Sequence, residues 1–254
     1  MHRFFLPPAQ CQRRPLVLEG REAHHALHVL RLERGDPLTV LDGAGAVLLC
    51  EVESIGRDTL TLALREAQSR PAPPCSLTLL VGVPKGKIIE DIIQKAAELG
   101  AQRIVPLLTE RTVMQLDPPA AEARRKKWQQ VAVEAIKQCG AAWLPEVARP
   151  QSVPDFLAGS DRMELPFVGS LQTERRHPRA WLEEFTRTQH RLPRSAGIWI
   201  GPEGDFTPWE LKAIEDSGAR PVTFGELTLR VETAAIYGLA FLNYELRLTP
   251  PAAA

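Results

Sequence analysis

IWIGPEGDFTPWE, residues 198–210, decides the architecture of the chain's larger part. A short apolar run ends in a glycine-containing turn, and a helix start follows at once. Thr207 fits the N-cap, Pro208 the first helical position, and Glu210 completes a T-x-x-E capping box. Gly218 marks where that helix stops. A loop between such a strand and such a helix lies at the carboxyl end of the strand, where open α/β sheets bind ligands. Gly201 and Gly204 have no Cβ, so another molecule can approach the main chain there. A second strand, PVTFG (221–225), leads through FGELTLRVETAA (224–235) into another helix start. Helix N-termini leave N–H groups unpaired. Two such loops suit a small polar ligand held mainly by main-chain atoms.

Upstream the same rhythm holds. SLTLLVGV (76–83) reads as a buried strand. Residues 88–99 read as a helix, with Ile89, Ile92, Ile93 and Ala96 on one face and Gly100 as its stop. RIVPLL (103–108) is the next strand, and 120–138 a long helix that is basic at RRKKW (124–128). LPFVGS (165–170) and GIWIG (197–201) are further strands. Strand alternating with helix predicts a mainly parallel sheet covered on both faces.

The composition breaks at EAQSRPAPPC (66–75), where the clustered prolines favour an extended connector. It divides the chain into expected domains at 1–70 and 76–249. Before it, Ala23, Ala26, Leu27 and Leu30 have helical spacing within 21–30. PLTVLD (37–42), AVLLCEVESI (46–55) and TLTLAL (59–64) alternate, with turns at DGAG (42–45) and GRD (56–58). This predicts a small antiparallel β unit, a compact barrel or half-barrel.

With 254 residues, 44% hydrophobic and 24% charged, the chain can bury a core without staples. Its net charge is zero, so no global basic field argues for nucleic acid. Arginine outnumbers lysine, a bias that phosphate recognition, genome composition and heat adaptation all produce. The four cysteines, Cys11, Cys50, Cys75 and Cys139, have no CxxC spacing and read as free thiols of a reducing compartment. No leader pattern and no apolar run of the roughly 18 residues a membrane span needs are present. The expectation is a cytoplasmic protein without membrane association.

GxGxxG, GxxxxGK[ST] and GxSxG are all absent, which removes the common dinucleotide, P-loop and nucleophile-elbow readings. His24 and His28 stand four apart, but nothing completes a metal site with them. A solvated or RNA-facing helix side is the reading there, and no metal is expected. Taken singly, GPEG is an ordinary tight turn, and LRVETAA a helix start whose Glu232 complements the helix dipole.

Together these segments resemble the bacterial 16S ribosomal RNA uridine N3-methyltransferase family, within the knotted SPOUT class. The family pattern ends in a strand plus GPEGGF, then LGxRILRxETA; here these stand at 198–206 and 224–234. MHRFFL opens the chain as the family does. REAHHALHVLRLERGD (21–36) matches a PUA-like RNA-binding module, 83–113 the first βαβ unit, and EAIKQCG (134–140) with LPEV (144–147) the segment after it. The departures are Asp205 for the second glycine of GPEGGF, Leu227 and Thr228 for Arg and Ile, and Ala141 for an Arg.

The resemblance implies an N-terminal PUA-like β-barrel and a C-terminal SPOUT α/β domain, its parallel sheet flanked by helices and its end tied in a deep trefoil knot. It implies S-adenosyl-L-methionine as cofactor, held by Leu171, Gly201, Pro202, Glu203, Gly204, Phe224, Gly225, Thr228, Leu229 and Arg230. Arg230 is the implied stabiliser of charge on the target base, with Glu232 and Glu203 as candidate proton acceptors. Arg3, Arg21, Arg31, Lys85, Lys87 and Arg111 are the expected RNA-binding cations. The partners implied are 16S rRNA or the small subunit, and a second copy of the chain. An inactive RNA-binding assembly factor, or a SPOUT enzyme acting on another RNA, are the competing readings.

Overall fold

The structure, a computed structural model, describes residues 1–171 and 175–247. The last two positions of the expected second domain, 248 and 249, lie outside the described residues. Close contacts divide the chain into two units. Met1–Ala72 with Val133–Leu144 form the first, and Pro73–Ala132 with Pro145–Ala254 the second.

The first unit holds β1 (His2–Phe5), α1 (Pro8–Cys11), β2 (Leu16–Leu18), α2 (Gly20–His24), β3 (Pro37–Leu41), β4 (Ala46–Ile55) and β5 (Leu60–Ser69). Its five-stranded sheet has the order β1-β3-β4-β5-β2. β1 runs parallel to β3, and the other pairs are antiparallel. Two register shifts between β4 and β5, at Leu49/Cys50 and Val52/Ser54, bend the sheet around its core. That core is built by alternation, with Leu38, Val40, Leu48, Cys50, Val52, Leu60 and Leu62 facing inward. β1 and β2 remain as edges, so the unit is a half-barrel.

Two local expectations are corrected here. The connector read at 66–75 begins later, because the polar end of β5 still pairs with β4, Gln68 opposite Val47 and Ser69 opposite Ala46. The helix read at 21–30 is α-helical only to His24, and His25–Val29 form a π-helical turn. There the Leu30 N–H reaches back to the His25 carbonyl at 3.0 Å. Ala23 and Ala26 are buried as expected.

The second unit holds β6 (Ser76–Gly82), α3 (Ile88–Glu98), β7 (Arg103–Leu107), β8 (Glu146–Val147), α5 (Val153–Ala158), β9 (Leu165–Gly169), α6 (Pro178–Gln189), β10 (Ser195–Ile200), α7 (Pro208–Asp216), β11 (Arg220–Val222) and α8 (Val231–Arg247), while α4 (Pro118–Cys139) starts in it. Six parallel strands lie in the order β11-β9-β10-β6-β7-β8. The central strands β6 and β10 are covered on both faces, so they read as near-continuous apolar runs. Trp199 is fully buried and meets Phe156 edge-on at 5.1 Å. α3 buries Ile89, Ile92, Ile93 and Ala96, and Gly100 (φ +75°) ends it in the left-handed region. From β11 at the sheet edge the chain returns in α8, which packs against β10, β6 and α3.

The capping box of α7 forms as read. Thr207 Oγ1 accepts from Glu210 N, and Glu210 Oε2 accepts from Thr207 N at 2.9 Å. Glu210 does more than cap. It is only 2% exposed, and its Oε1 accepts the Glu110 N–H at 3.0 Å, tying the loop after β7 to α7. Glu210→Ala leaves these donors unpaired in a buried place. It is expected to lower the unfolding free energy by about 2–3 kcal/mol, read from urea denaturation; Glu210→Gln should lose less.

Candidate functional site

Three loops leave the carboxyl ends of β9, β10 and β11 and converge on one cavity of about 490 Å³. The start of α8 closes one side, and Ile88 of α3 adds to the wall. A pocket at this edge of a parallel sheet follows from topology, because every strand delivers its outgoing loop to the same side.

The loop after β10 is shaped by close approach. A Cβ on Gly82 would stand 2.5 Å from Pro202 Cδ and 2.6 Å from Pro202 N. Only glycine lets β6 accept Pro202 this closely. The Asp205 N–H bonds the Pro202 carbonyl at 2.8 Å and closes the turn. Two neighbours hold it from outside. Glu203 Oε1 accepts the Lys85 N–H at 2.9 Å, and the Arg111 guanidinium donates to the Gly204 carbonyl. Phe206 is fully buried and anchors the exit into α7.

The loop after β11 is set by Thr223, whose Oγ1 donates to the Gly225 carbonyl and accepts the Gly225 N–H at 3.2 Å. Gly225 takes φ +119°, and no heavy atom lies within 4 Å of where its Cβ would be. The Phe224 ring leans on Tyr237 of α8 at 5.0 Å.

Nine of the ten residues expected around a cofactor line this cavity: Leu171 after β9; Gly201, Pro202 and Glu203 after β10; Phe224, Gly225, Thr228, Leu229 and Arg230 after β11. Gly204 does not; its Cα faces the Arg111 side chain instead. Arg230 and Glu232 line the wall with Glu203, so all three candidate catalytic residues meet there. Leu227 is 80% exposed. Wall residues outside the expected set include Ile88, Arg175, Val222 and Thr223, and Asp205, noted in the sequence as a departure in the GPEGDF loop, lines the wall as well. Arg175 donates to the Ser170 carbonyl at 3.1 Å. No sequence motif marks Ile88 or Arg175; only the fold brings them to this space.

The expected RNA cations fall in two groups. In the second unit, Lys85, Lys87 and Arg111 are exposed, and Lys85 and Arg111 touch the GPEG loop directly. In the first unit, Arg3 Nη1 donates to the Lys137 and Gln138 carbonyls, capping the end of α4. Arg21 pairs with Glu134 at 3.6 Å, and Arg31 is exposed with φ +54°. His24 and His28 lie ring to ring at 4.8 Å. Among the described residues no group of three or more His, Cys, Asp or Glu is placed to hold a metal ion, and no helix is long and apolar enough to cross a membrane. Burial pushes the Cys11, Cys50 and Cys75 thiols up to about 11. They stay protonated at neutral pH and are poor nucleophiles.

A family model for an RNA methyltransferase domain matches residues 71–243, and one for an RNA methyltransferase PUA domain matches residues 18–64. Ribosomal RNA small subunit methyltransferase E of Synechocystis is 32% identical over 95% of this chain and 77% of its own length. The Bacillus subtilis protein of the same name is 29% identical over 98% of each chain. A Legionella pneumophila protein, described as a methyltransferase and solved in complex with bound SAM, superposes with a TM-score of 0.84 at 26% identity. That alignment covers 96% of this chain and 97% of the other.

The site depends on the close passage of β6 and the GPEG loop. Gly82→Ala forces Pro202 away and is expected to cost about 1–3 kcal/mol. The drop in thermal unfolding temperature, with faster amide exchange across 201–206, measures it.

Proposed function

The chain belongs to the RNA methyltransferase family, and on that premise we propose that it transfers a methyl group from S-adenosylmethionine to N3 of one uridine in 16S ribosomal RNA. The observation that carries this reading is the single cavity in which the loops after β9, β10 and β11 gather Arg230, Glu203 and Glu232 beside an apolar wall. We assign residues 1–70 to RNA binding and 76–249 to methyl transfer, acting on rRNA in the cytoplasm.

The cavity fits the donor. Its volume of about 490 Å³ lies in the range of small-ligand sites. Leu171, Ile200, Phe224 and Leu229 offer apolar cover for a flat base, and the open main chain at Gly225 offers polar contacts beside it. Main-chain reading explains why Leu227 and Thr228 can stand where the family pattern has Arg and Ile. When bound, S-adenosylmethionine supplies a methyl carried on a positively charged sulfur.

The protein's own share is alignment, charge and proton handling. Holding donor and acceptor in line lowers the barrier by removing the entropy of encounter. Uridine N3 lies on the base-pairing edge, so the base must be presented unpaired. The N3–H proton would be lost and an N–C bond would form as the methyl's bond to sulfur broke with its electrons staying on sulfur, and charge would build on the ring oxygens. Arg230 stabilises that charge. Glu203 is occupied by the Lys85 N–H and acts as a loop brace. Glu232, in the first turn of α8, is the carboxylate we assign to take the proton. Alignment of donor and acceptor carries much of the acceleration.

Lys85, Lys87 and Arg111 rim the site and suit phosphate contacts, which position RNA without reading sequence. Tyr237 (48% exposed) and Tyr244 (63% exposed) lie on α8 and present exposed aromatic rings. Such rings support a homodimer closed through α8.

The test is methyl transfer from labelled donor to small subunits lacking the modification, followed by nucleoside identification. N3-methyluridine at one stoichiometric site is the expected result. No label on subunits that another family member methylates would turn the reading to an inactive RNA-binding factor, and label on another RNA to a different target. Arg230→Ala should lower kcat by about 10²–10³-fold, while the donor Kd from calorimetry moves less than threefold. Tyr244→Glu should shift the molar mass seen by light scattering toward the monomer.

A further inference from the structure

Asp205 occupies a backbone conformation uncommon for residues with a side chain, though aspartate is among those that tolerate it. Its φ is +62°, in the left-handed region, where glycine is at ease and most side chains are not. The Asp205 N–H closes the turn onto the Pro202 carbonyl, and Oδ1 accepts the Phe206 N–H at 2.8 Å. The carboxylate is therefore fixed in place. A Cβ on Gly201 would come within 2.8 Å of Oδ1, so the carboxylate lies against the bare Gly201 main chain. The residue lines the cavity and is half-buried. Glycine would make this turn without strain, and asparagine, which tolerates the same φ, could accept the Phe206 bond. What aspartate alone brings is a fixed negative charge in the cavity wall.

Resting on the methyl-donor reading, we propose that Asp205 is a specificity residue that makes the cavity favour the sulfonium donor over its demethylated thioether product. The two ligands differ by one methyl group and one positive charge. Apolar cover separates them only by the methyl. A fixed carboxylate attracts the donor and gains nothing from the product, so its effect falls on the ratio of the two affinities. The other charged groups on the wall are Glu203, Glu232, Arg175 and Arg230. Glu203 is braced by the Lys85 N–H and Arg175 by the Ser170 carbonyl. Arg175 suits the carboxylate that donor and product share, so its contribution cancels from the ratio, while Arg230 is assigned to the target base. The consequence is turnover: once the methyl has left sulfur, the charge Asp205 attracts is gone and the product is released more readily.

Calorimetry on the full chain tests this with two probes, S-adenosylmethionine and S-adenosylhomocysteine. Asp205→Asn keeps the turn and removes the charge. It is expected to weaken donor binding about 5–20-fold and to move product binding less than twofold. Asp205→Gly should lose the same discrimination without a lower unfolding temperature, because it relieves the positive φ. In the wild type, raising salt should shrink the donor-to-product ratio. If both probes bind and neither variant changes their ratio, Asp205 merely shapes the turn, and the inference fails while the donor reading stands. If the wild type binds neither probe, the donor reading fails and takes the inference with it.

Discussion

The insertion of β10 between β6 and β9 is the pairing on which the rest of the second unit depends. All its strands run parallel, so each must be followed by a crossover, and each crossover starts at the same edge. Burial on both faces makes β6 and β10 apolar along their lengths and fixes them at the centre. Once β9, β10 and β11 are adjacent, their outgoing loops have nowhere to lie but beside one another. The cavity is thus a consequence of strand order before any of its residues is specified.

What makes the cavity a defined site is the bracing of the GPEG loop. β6 presses on it through Gly82 and Pro202, Lys85 holds Glu203, and Arg111 holds the Gly204 carbonyl. The segment after β7 is in turn fixed to α7 by Glu210. These contacts come from chain segments about a hundred residues apart in sequence. They set a main-chain surface in advance of ligand binding, which lowers the ordering cost of association. Lys85 and Arg111 thereby serve twice, holding the loop and placing positive charge at its rim.

Legibility in the sequence tracks the range of the interaction. The α7 capping box and the buried face of α3 were readable because they depend on residues three and four apart. The long strands β4 and β5 were readable from alternation, but the end of β5 was not. Its polar residues pair only because β4 lies opposite them, and no local signal announces a partner. β1 and β2 are too short to carry a pattern and exist through pairing with β3 and β5. The π-helical turn at His25–Val29 escaped because its apolar spacing fits an α-helix equally well. Ile88 and Arg175 were not among the expected wall residues, since no spacing rule brings separate segments to one cavity.

By itself the sequence determined the alternation of strand and helix, the two ligand-facing loops and, through its motif blocks, the family. These are set by local periodicity, capping and turn chemistry, which act within a few residues. Only the tertiary structure decided the strand order, the half-open first sheet, and which side chains share the cavity. It also separated Gly204, turned toward Arg111, from its neighbours, and showed Asp205 held at a positive φ in the wall. These outcomes rest on contacts between distant segments, whose free energy is defined only once the chain has closed around its core.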